Sequence, residues 1–217
     1  MAREQRDGLS RCPVWHSRGY IPHWEAGETA QAITFRLADS LPASLPKRWE
    51  SELQTLANDA RDRERRKRIE RALDSGHGSG ALAQFAIGEV VESAILHFDA
   101  ARYRLHAWVI MPNHLHVLVT PIVGETLSEI VHSWKSFTAK QENALLNQKG
   151  TFWATEHFDR VIRDDGHFSN AVEYFTMNTV KAGLCGRPDA WRFSSAWQAR
   201  GGASSPKEQA GSLRSQG

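Results

Sequence analysis

Residues 102–120 read RYRLHAWVIMPNHLHVLVT, and this stretch decides the fold of the chain. Its first part, Arg102 to Ile110, and its last part, His114 to Thr120, are rich in β-branched and aromatic residues, which is typical of strands. Met111-Pro112-Asn113 lies between them and is a turn signal, because proline and asparagine favour turn conformations. The stretch therefore predicts a β-hairpin.

The second strand of this hairpin places two histidines on one face. Side chains alternate along a strand, so His114 and His116 point to the same side, while Leu115 and the valines that follow enter the other. Two imidazoles at this spacing can bind one metal ion. A purely local hydrogen-bonding role is the alternative, because the pattern is short and common. Two histidines rarely complete a metal site, so we expect a third ligand elsewhere. His106 lies on the neighbouring strand without an accompanying metal-binding motif, and the helix after Asp165 offers a better candidate.

The segments around the hairpin complete an alternating order of strands and helices. Their patterns predict strands at 31–37 and 158–163 and helices at 82–98, 127–146 and 166–180. Asp164 or Asp165 supplies an N-cap for the last helix, and Gly183 ends it. This order predicts an α+β fold of the ferredoxin-like split βαβ type, with an antiparallel sheet covered on one face.

A chain of 217 residues fits one domain with additions. We expect an N-terminal arm at 1–30, a single domain at 31–198 with an inserted charged helical segment at about 46–74, and a disordered tail at 199–217. The basic run from Arg61 to Arg68 is interleaved with acids, which favours a solvated helix with ion pairs over a phosphate-binding track. The eight tryptophans fit either the core or platforms for unpaired bases.

Composition excludes several classes of protein. No apolar run approaches the ~20 residues that span a bilayer, and the N-terminus lacks the apolar core of a secretory signal. We therefore expect a cytoplasmic protein without a membrane partner. Cys12 and Cys185 are far apart and not in a paired spacing, so neither a disulfide framework nor a zinc site is expected. The net charge of +2 does not by itself argue for nucleic acid.

The last predicted helix carries a tyrosine that lies off its packing stripe. The stripe recurs at helical spacing and consists of Phe168, Val172, Phe175 and Thr179. Tyr174 lies on another side, four residues before Asn178 and seven from both His167 and Lys181. An amide, an imidazole and an ammonium around a phenol suit a phosphate diester. The other two tyrosines, Tyr20 and Tyr103, have no comparable helical partner.

These groups predict a nucleophilic reaction at phosphorus. A phenol has a pKa of about 10, so the hydroxyl of Tyr174 needs activation at neutral pH. A divalent ion bound by His114, His116 and the side-chain oxygen of Asn178 would polarise a phosphoryl oxygen. The product would be a phosphotyrosyl link to DNA, which keeps the bond energy for rejoining. The candidate contacts to the DNA backbone, each of which could instead be a surface ion pair, are Lys181, Lys135, Arg160 and Arg163.

Several stretches of the sequence resemble a known family. HAWVIMPNHLHVLVTP at 106–121 resembles the HUH motif (histidine, a hydrophobic residue, histidine) of single-tyrosine transposases. FWATEHFDRVIRDDGHFSNAVEYFTMNTVKAGL at 152–184 resembles the catalytic-tyrosine region of REP-associated tyrosine transposases. WHSRGYIPHWE and AITFRLADSLP near the N-terminus are also similar to that branch, so the resemblance covers roughly residues 14–197.

The resemblance implies an HUH-endonuclease type of sheet, followed by a catalytic helix. It also implies a metal-dependent endonuclease and strand transferase for single-stranded DNA, acting on repetitive extragenic palindromes (REP) that fold into hairpins. Carried over, Tyr174 forms a 5′-phosphotyrosine, His114, His116 and Asn178 bind Mg²⁺ or Mn²⁺, and no small-molecule substrate is involved. The protein could act as a monomer or a homodimer. Thr179 stands where the family usually has proline, which relaxes the turn after the helix and affects the placement of Lys181.

Other functions fit the sequence less well, with one exception. A regulator that binds hairpin DNA without cutting it would carry the same residues and stays open. A histidine-triad nucleotide hydrolase needs further spaced histidines, but Asn113 precedes and Leu118 follows the pair. In relaxases the tyrosine precedes the HUH strand, whereas Tyr174 follows it.

Overall fold

The computed structural model describes residues 14–17, 22–25 and 28–201 of the chain. In chain order its strands and α-helices are β1 (Val14–Ser17), β2 (Pro22–Glu25), β3 (Gln31–Leu37), α1 (Ser44–Leu53), α2 (Asn58–Asp74), α3 (Phe85–Leu96), β4 (Tyr103–Ile110), β5 (His114–Pro121), α4 (Leu127–Leu145), β6 (Trp153–Val161), α5 (Asp165–Lys181) and α6 (Ser195–Ala199).

The central feature is a four-stranded antiparallel sheet in the order β4-β5-β3-β6. If these four strands are numbered by their order along the chain, their order across the sheet is 2-3-1-4. Helix α3 connects the first strand to the second, and α4 connects the third to the fourth. This is the split βαβ arrangement of ferredoxin-like folds, so the predicted fold class is confirmed. The predicted hairpin is β4 and β5, joined across residues 111–113.

One face of the sheet forms the main core. Its strand residues include Ile33, Leu115 and Val117, all fully buried with the apolar sides of α3 and α4. Tyr103 joins three elements there, because its hydroxyl donates to the Ile95 carbonyl at 2.8 Å and accepts from Nε1 of Trp134 at 3.0 Å. This tyrosine is a structural residue.

The described tryptophans mostly belong to the cores. Those at 49, 108, 134 and 153 are nearly completely buried, whereas Trp191 and Trp197 are half-buried. For the buried ones the core interpretation is confirmed, because a buried indole cannot stack on an unpaired base.

The opposite face is also partly covered, which the sequence did not predict. Helix α5 packs on β4 and β5 through Phe175, which lies in a second cluster with Leu118, Met111 and Ile162. The expectation of a sheet covered on one face was therefore incomplete, because the apolar stripe of α5 needs a buried partner.

The inserted segment folds as two helices rather than one. Residues 54–57 separate α1 from α2, and Arg61 closes the junction by donating to the carbonyls of Leu53, Gln54 and Leu56. The pair has its own small core, including Trp49 and Leu73, against which Phe158 of β6 packs. The predicted ion pairs are present at Arg68, which bonds Glu52 and Glu64.

The fourth strand begins five residues earlier than predicted, at Trp153 instead of Phe158. The register between β3 and β6 shifts between Phe35 and Leu37, and this irregularity hides the alternation of the first residues of β6.

The predictions for the two ends of the chain can be compared with the structure only in part. Residues 14–17 and 22–25 of the predicted arm pair as an antiparallel ribbon, although the sequence there has no clear period. The predicted disordered tail lies, from residue 202 onward, outside the described residues, as do residues 1–13 of the arm. Among the helices that the structure describes, none combines the length and apolar character required to cross a membrane.

Candidate active site

Strand β5 places two histidines on the sheet face that α5 covers. His114 and His116 are each 1% exposed, and the intervening Leu115 points into the main core. Their partners in the register on β3 are Arg36 and Thr34. The predicted alternation is therefore confirmed, and both imidazoles lie beneath α5 rather than in solvent.

The tautomer of His114 is set by the residue before it. Nδ2 of Asn113 donates to the carbonyl oxygens of Leu73 at 3.1 Å and His77 at 3.0 Å, which leaves Oδ1 as the acceptor toward His114. Oδ1 lies 2.7 Å from Nδ1 of His114. Because an amide oxygen only accepts, Nδ1 carries the proton and Nε2 keeps a lone pair.

The second imidazole is held in the same manner from β3. Nδ1 of His116 lies 2.6 Å from Oγ1 of Thr34, and its Nε2 lies 3.1 Å from Nε2 of His114. Burial lowers the pKa of His114 to about 3, and burial together with the neighbouring His114 lowers the pKa of His116 well below its ordinary value. Both rings are therefore neutral at pH 7, which is the form that binds metals.

Helix α5 begins and ends as the sequence predicts. The side chain of Asp164 is the N-cap and accepts from the backbone N–H of His167 at 2.7 Å. At the other end Gly183 has a φ of 71°, the left-handed conformation that ends a helix. Thr179 lies inside the helix, which continues to Lys181. The missing proline therefore does not relax a turn at this position.

Tyr174 lies beside the histidine pair. Its ring centroid is 5.4 Å from that of His116 in an edge-on arrangement, and interaction with the side chain of Asn178 lowers the pKa of its hydroxyl. Nζ of Lys181 lies 5.6 Å from the ring centroid. The predicted neighbours Asn178 and Lys181 are therefore in place. Tyr174 is less separated from the packing stripe than predicted, because the centroid of its ring lies 5.8 Å from that of the Phe175 ring.

The surroundings of Tyr174 keep its hydroxyl protonated. Burial is the main cause of a raised pKa, and the carboxylates of Glu70 and Asp74 on α2 raise it further. The hydrogen bond to Asn178 and the charge of Arg160 act in the opposite direction. In this protonated form the phenol is a weak nucleophile.

Asn178 brings a third group to the histidine pair. It is 3% exposed, and its side-chain nitrogen lies 3.3 Å from Nε2 of His116. A half-turn of the amide exchanges its nitrogen and oxygen, so either atom can face the pair. Two ring nitrogens and one amide converge here, and this donor set fits a divalent cation. Within residues 28–201 there is no cluster of three His, Cys, Asp or Glu side chains suited to a metal ion, so at this site the third ligand would have to be the amide of Asn178.

The other predicted residues are dispersed. Nε2 of His106 lies 2.8 Å from Oγ1 of Thr120, and its ring contacts Phe168, so it does not join the pair. Nζ of Lys135 donates to the carbonyls of Ala154 and Thr155 on β6, and burial and Arg36 lower its pKa to about 8. Its part in DNA binding stays a prediction.

The two arginines that were predicted to contact DNA lie closer to Tyr174 in the sequence than Lys135 does. Arg160 is exposed and lines a cleft that Tyr174 also lines, while Arg163 is exposed and its backbone N–H donates to Nδ1 of His167 at 3.3 Å. Their contacts to DNA stay predictions as well.

Several groups at this site were not predicted from the sequence. Asn113 was assigned only to a turn, and Thr34 only to a strand. Glu70, Asp74 and Arg66 lie in the inserted segment, about 100 residues before Tyr174. The period of two in β3 could have placed Thr34 with His116, but the contacts of α2 have no local signal.

Comparisons with known proteins agree with this geometry. The model of the IS200-like transposase family matches residues 86–177, which include both histidines and Tyr174. A REP-associated tyrosine transposase of Escherichia coli (strain K12) is 26% identical over 92 residues, 42% of this chain and 53% of that protein. The match thus spans about half the length of that relative.

A solved structure of a REP-associated tyrosine transposase bound to a REP hairpin has the same fold. It is similar with a TM-score of 0.50 and 19% identity, over 86% of each chain. The predicted resemblance to REP-associated tyrosine transposases is thereby confirmed.

Proposed function

We propose that this chain, similar as it is to REP-associated tyrosine transposases, is a metal-dependent endonuclease and strand transferase for single-stranded DNA. Its substrate would be hairpin-forming repetitive DNA of the nucleoid, and its intermediate a 5′-phosphotyrosine at Tyr174. The observation that carries the proposal is the position of Tyr174, whose ring lies 5.4 Å from that of His116 and which precedes Asn178 by one turn of α5.

The proposed roles of the metal ligands follow from their environment. His114 and His116 present neutral ring nitrogens toward one point, and Asn178 can add its oxygen. These residues would hold Mg²⁺ or Mn²⁺. When bound, the ion would act as a Lewis acid on a phosphoryl oxygen and offset the negative charge that raises the pKa of the phenol.

The residues of the chain then account for the chemical step. The Tyr174 oxygen forms a bond to phosphorus, the bond between phosphorus and the 3′-oxygen breaks, and the phenolic proton ends on the released 3′-hydroxyl. Rejoining is the same exchange in reverse, in which a 3′-hydroxyl attacks the phosphotyrosine. Lys181, at the ring of Tyr174, is placed to neutralise a strand phosphate. Lys135, Arg160 and Arg163 are the further proposed backbone contacts.

A covalent trap with two differently placed labels tests the proposal. A pool of hairpin oligonucleotides with randomised stems and flanks is incubated with protein and Mn²⁺, Mg²⁺ or EDTA, and then run on a denaturing gel. A 5′-phosphotyrosine keeps a 3′ label on the protein and releases a 5′ label. We expect such an adduct only with metal, and none from Tyr174→Phe.

Tyr103→Phe is the matched control, because the hydroxyl of Tyr103 is engaged by Ile95 and Trp134 in the main core. It should still form the adduct. An adduct that survives Tyr174→Phe would assign another nucleophile. Tight binding of hairpins without any adduct would instead establish the non-cleaving regulator.

A further inference from the structure

Tyr174 forms one wall of a cleft of about 150 Å³ between the inserted helix α2, the sheet and α5. By the share of liquid volume that one water takes, the cleft would hold on the order of five water molecules. It can therefore take one flat ring rather than a length of DNA backbone. The residues that line it and carry the argument are Arg66, Phe158, Arg160, Asn170 and Tyr174.

The chemistry of the lining suits an unpaired nucleotide. Arg66 and Arg160 supply positive charge for phosphates, and Phe158 supplies an aromatic surface. Asn170, exposed on α5, supplies an amide that can bond a base edge. Glu70 and the buried Asp159 also line the cleft, so its two arginines are balanced by two carboxylates. The proposed phosphate contact therefore depends on the positions of Arg66 and Arg160 and not on an excess of positive charge.

The α2 wall of the cleft is fixed relative to the histidine pair. Asn113 bonds carbonyls at the end of α2 and just after it, while its oxygen bonds His114. Phe158 packs against the small core of the insertion from the sheet side. The family match covers residues 86–177, so α2 lies outside the matched segment.

We propose that this cleft binds the unpaired nucleotide next to the scissile phosphate, and that the inserted helix α2 thereby takes part in choosing the cleavage site. The inference rests on the proposed function. Arg66 and Arg160 hold the phosphates of that nucleotide, and its base lies over Phe158 and beside Asn170.

The test measures binding in the Tyr174→Phe background, so that no strand is cut. The probe is a 3′-fluorescein hairpin oligonucleotide taken from the adduct pool, with an abasic site placed at each flanking position in turn. We expect one flanking position at which loss of the base weakens binding about tenfold, because both the stacking on Phe158 and the bond to Asn170 are lost. Asn170→Ala should reduce that penalty to under about threefold.

Arg66→Ala tests the phosphate contact. It should weaken binding about tenfold and reduce the dependence on log salt by about one unit. Arg71→Ala is the matched control, because Arg71 is exposed on the same helix and is not among the residues lining the cleft. It should bind within twofold of the parent.

The proposed nucleotide site and the proposed function would be contradicted by different results. If Arg66→Ala and Arg71→Ala bind alike and the abasic penalty is unchanged in Asn170→Ala, the cleft is not the nucleotide site, although the adduct at Tyr174 still forms. If the protein neither binds hairpins nor forms an adduct, the proposed function is wrong and this inference with it.

Discussion

The two faces of the central sheet are built from the same strands but have opposite characters. On one face Leu115 and Val117 lie in a continuous apolar core under α3 and α4. On the other face His114 and His116, equally buried, turn ring nitrogens toward each other and toward α5. Strand β5 contributes to both faces because its side chains alternate.

Because of this difference, one face of the sheet stabilises the fold and the other carries the proposed chemistry. The apolar face contributes burial free energy and needs no ligand. The histidine face holds two neutral imidazoles whose outer nitrogens are oriented by Asn113 and Thr34 while their inner nitrogens converge. Polar groups of this kind are costly in a core unless a partner satisfies them. The apolar face therefore allows the other face to keep a polar site, which we propose binds a cation.

Neighbouring substitutions on β5 should separate the two faces most clearly. His116→Ala removes a proposed metal ligand, so adduct formation should fall by on the order of a thousandfold, which corresponds to about 4 kcal/mol. Hairpin binding by the same variant should stay close to the parent. Leu115→Ala removes a core side chain and should lower the free energy of unfolding by about 2–5 kcal/mol. Denaturant titration and the gel assay measure the two effects, and equal loss of binding and cleavage in His116→Ala would make that histidine a folding residue.

The helices that cover the apolar face also bury a carboxyl group, that of Glu142 on α4. It is 0% exposed, neither carboxyl oxygen has a hydrogen-bond partner among the described residues, and burial raises its pKa to about 9. The unfolded chain releases this proton above its ordinary pKa of 4.5, so stability should fall as pH rises from about 4.5 to 9. Glu142→Gln should remove that slope and raise the free energy of unfolding by about 3 kcal/mol at pH 7. Urea titrations at pH 5 and pH 8 measure it, and a slope unchanged in the variant would contradict the assignment.

The smallest effect should come from changing the side chains that hydrogen-bond the outer ring nitrogens of the histidines. Thr34→Val keeps the shape of the side chain but removes the hydroxyl 2.6 Å from Nδ1 of His116. Partners of this kind typically change metal affinity 10–100-fold, so we expect Mn²⁺ to bind about tenfold more weakly. Calorimetry with Mn²⁺ measures this directly, with Thr155→Val on the exposed part of β6 as the control. Equal affinity in both variants would mean that Thr34 does not orient the ring.

Local patterns in the sequence predicted the parts of the molecule that depend on near neighbours. The hairpin, the alternation at His114 and His116, the cap at Asp164 and the pairing of Tyr174 with Asn178 all follow from spacings of a few residues. Their outcomes agree with the structure because strand and helix periods fix which side chains share a face.

The groups that the sequence did not predict depend on distant contacts. The bonds of Asn113 reach 36 and 40 residues back along the chain, and the carboxylates of α2 approach Tyr174 from about 100 residues away. No period or motif encodes such contacts, since they follow from how the insertion packs on Phe158. The bonds of Lys135 to the carbonyls of Ala154 and Thr155 on β6, 19 and 20 residues away, were not predicted for the same reason.

Peptide mapping of a DNA–protein adduct tests the central claim most directly. The protein is trapped with a short hairpin oligonucleotide and Mn²⁺, digested with nuclease and protease, and sequenced by mass spectrometry. The account predicts a 5′-nucleotide joined to the oxygen of Tyr174, and no such peptide when EDTA replaces the metal. A nucleotide on any other side chain, or an adduct at Tyr174 that forms equally well in EDTA, would contradict it.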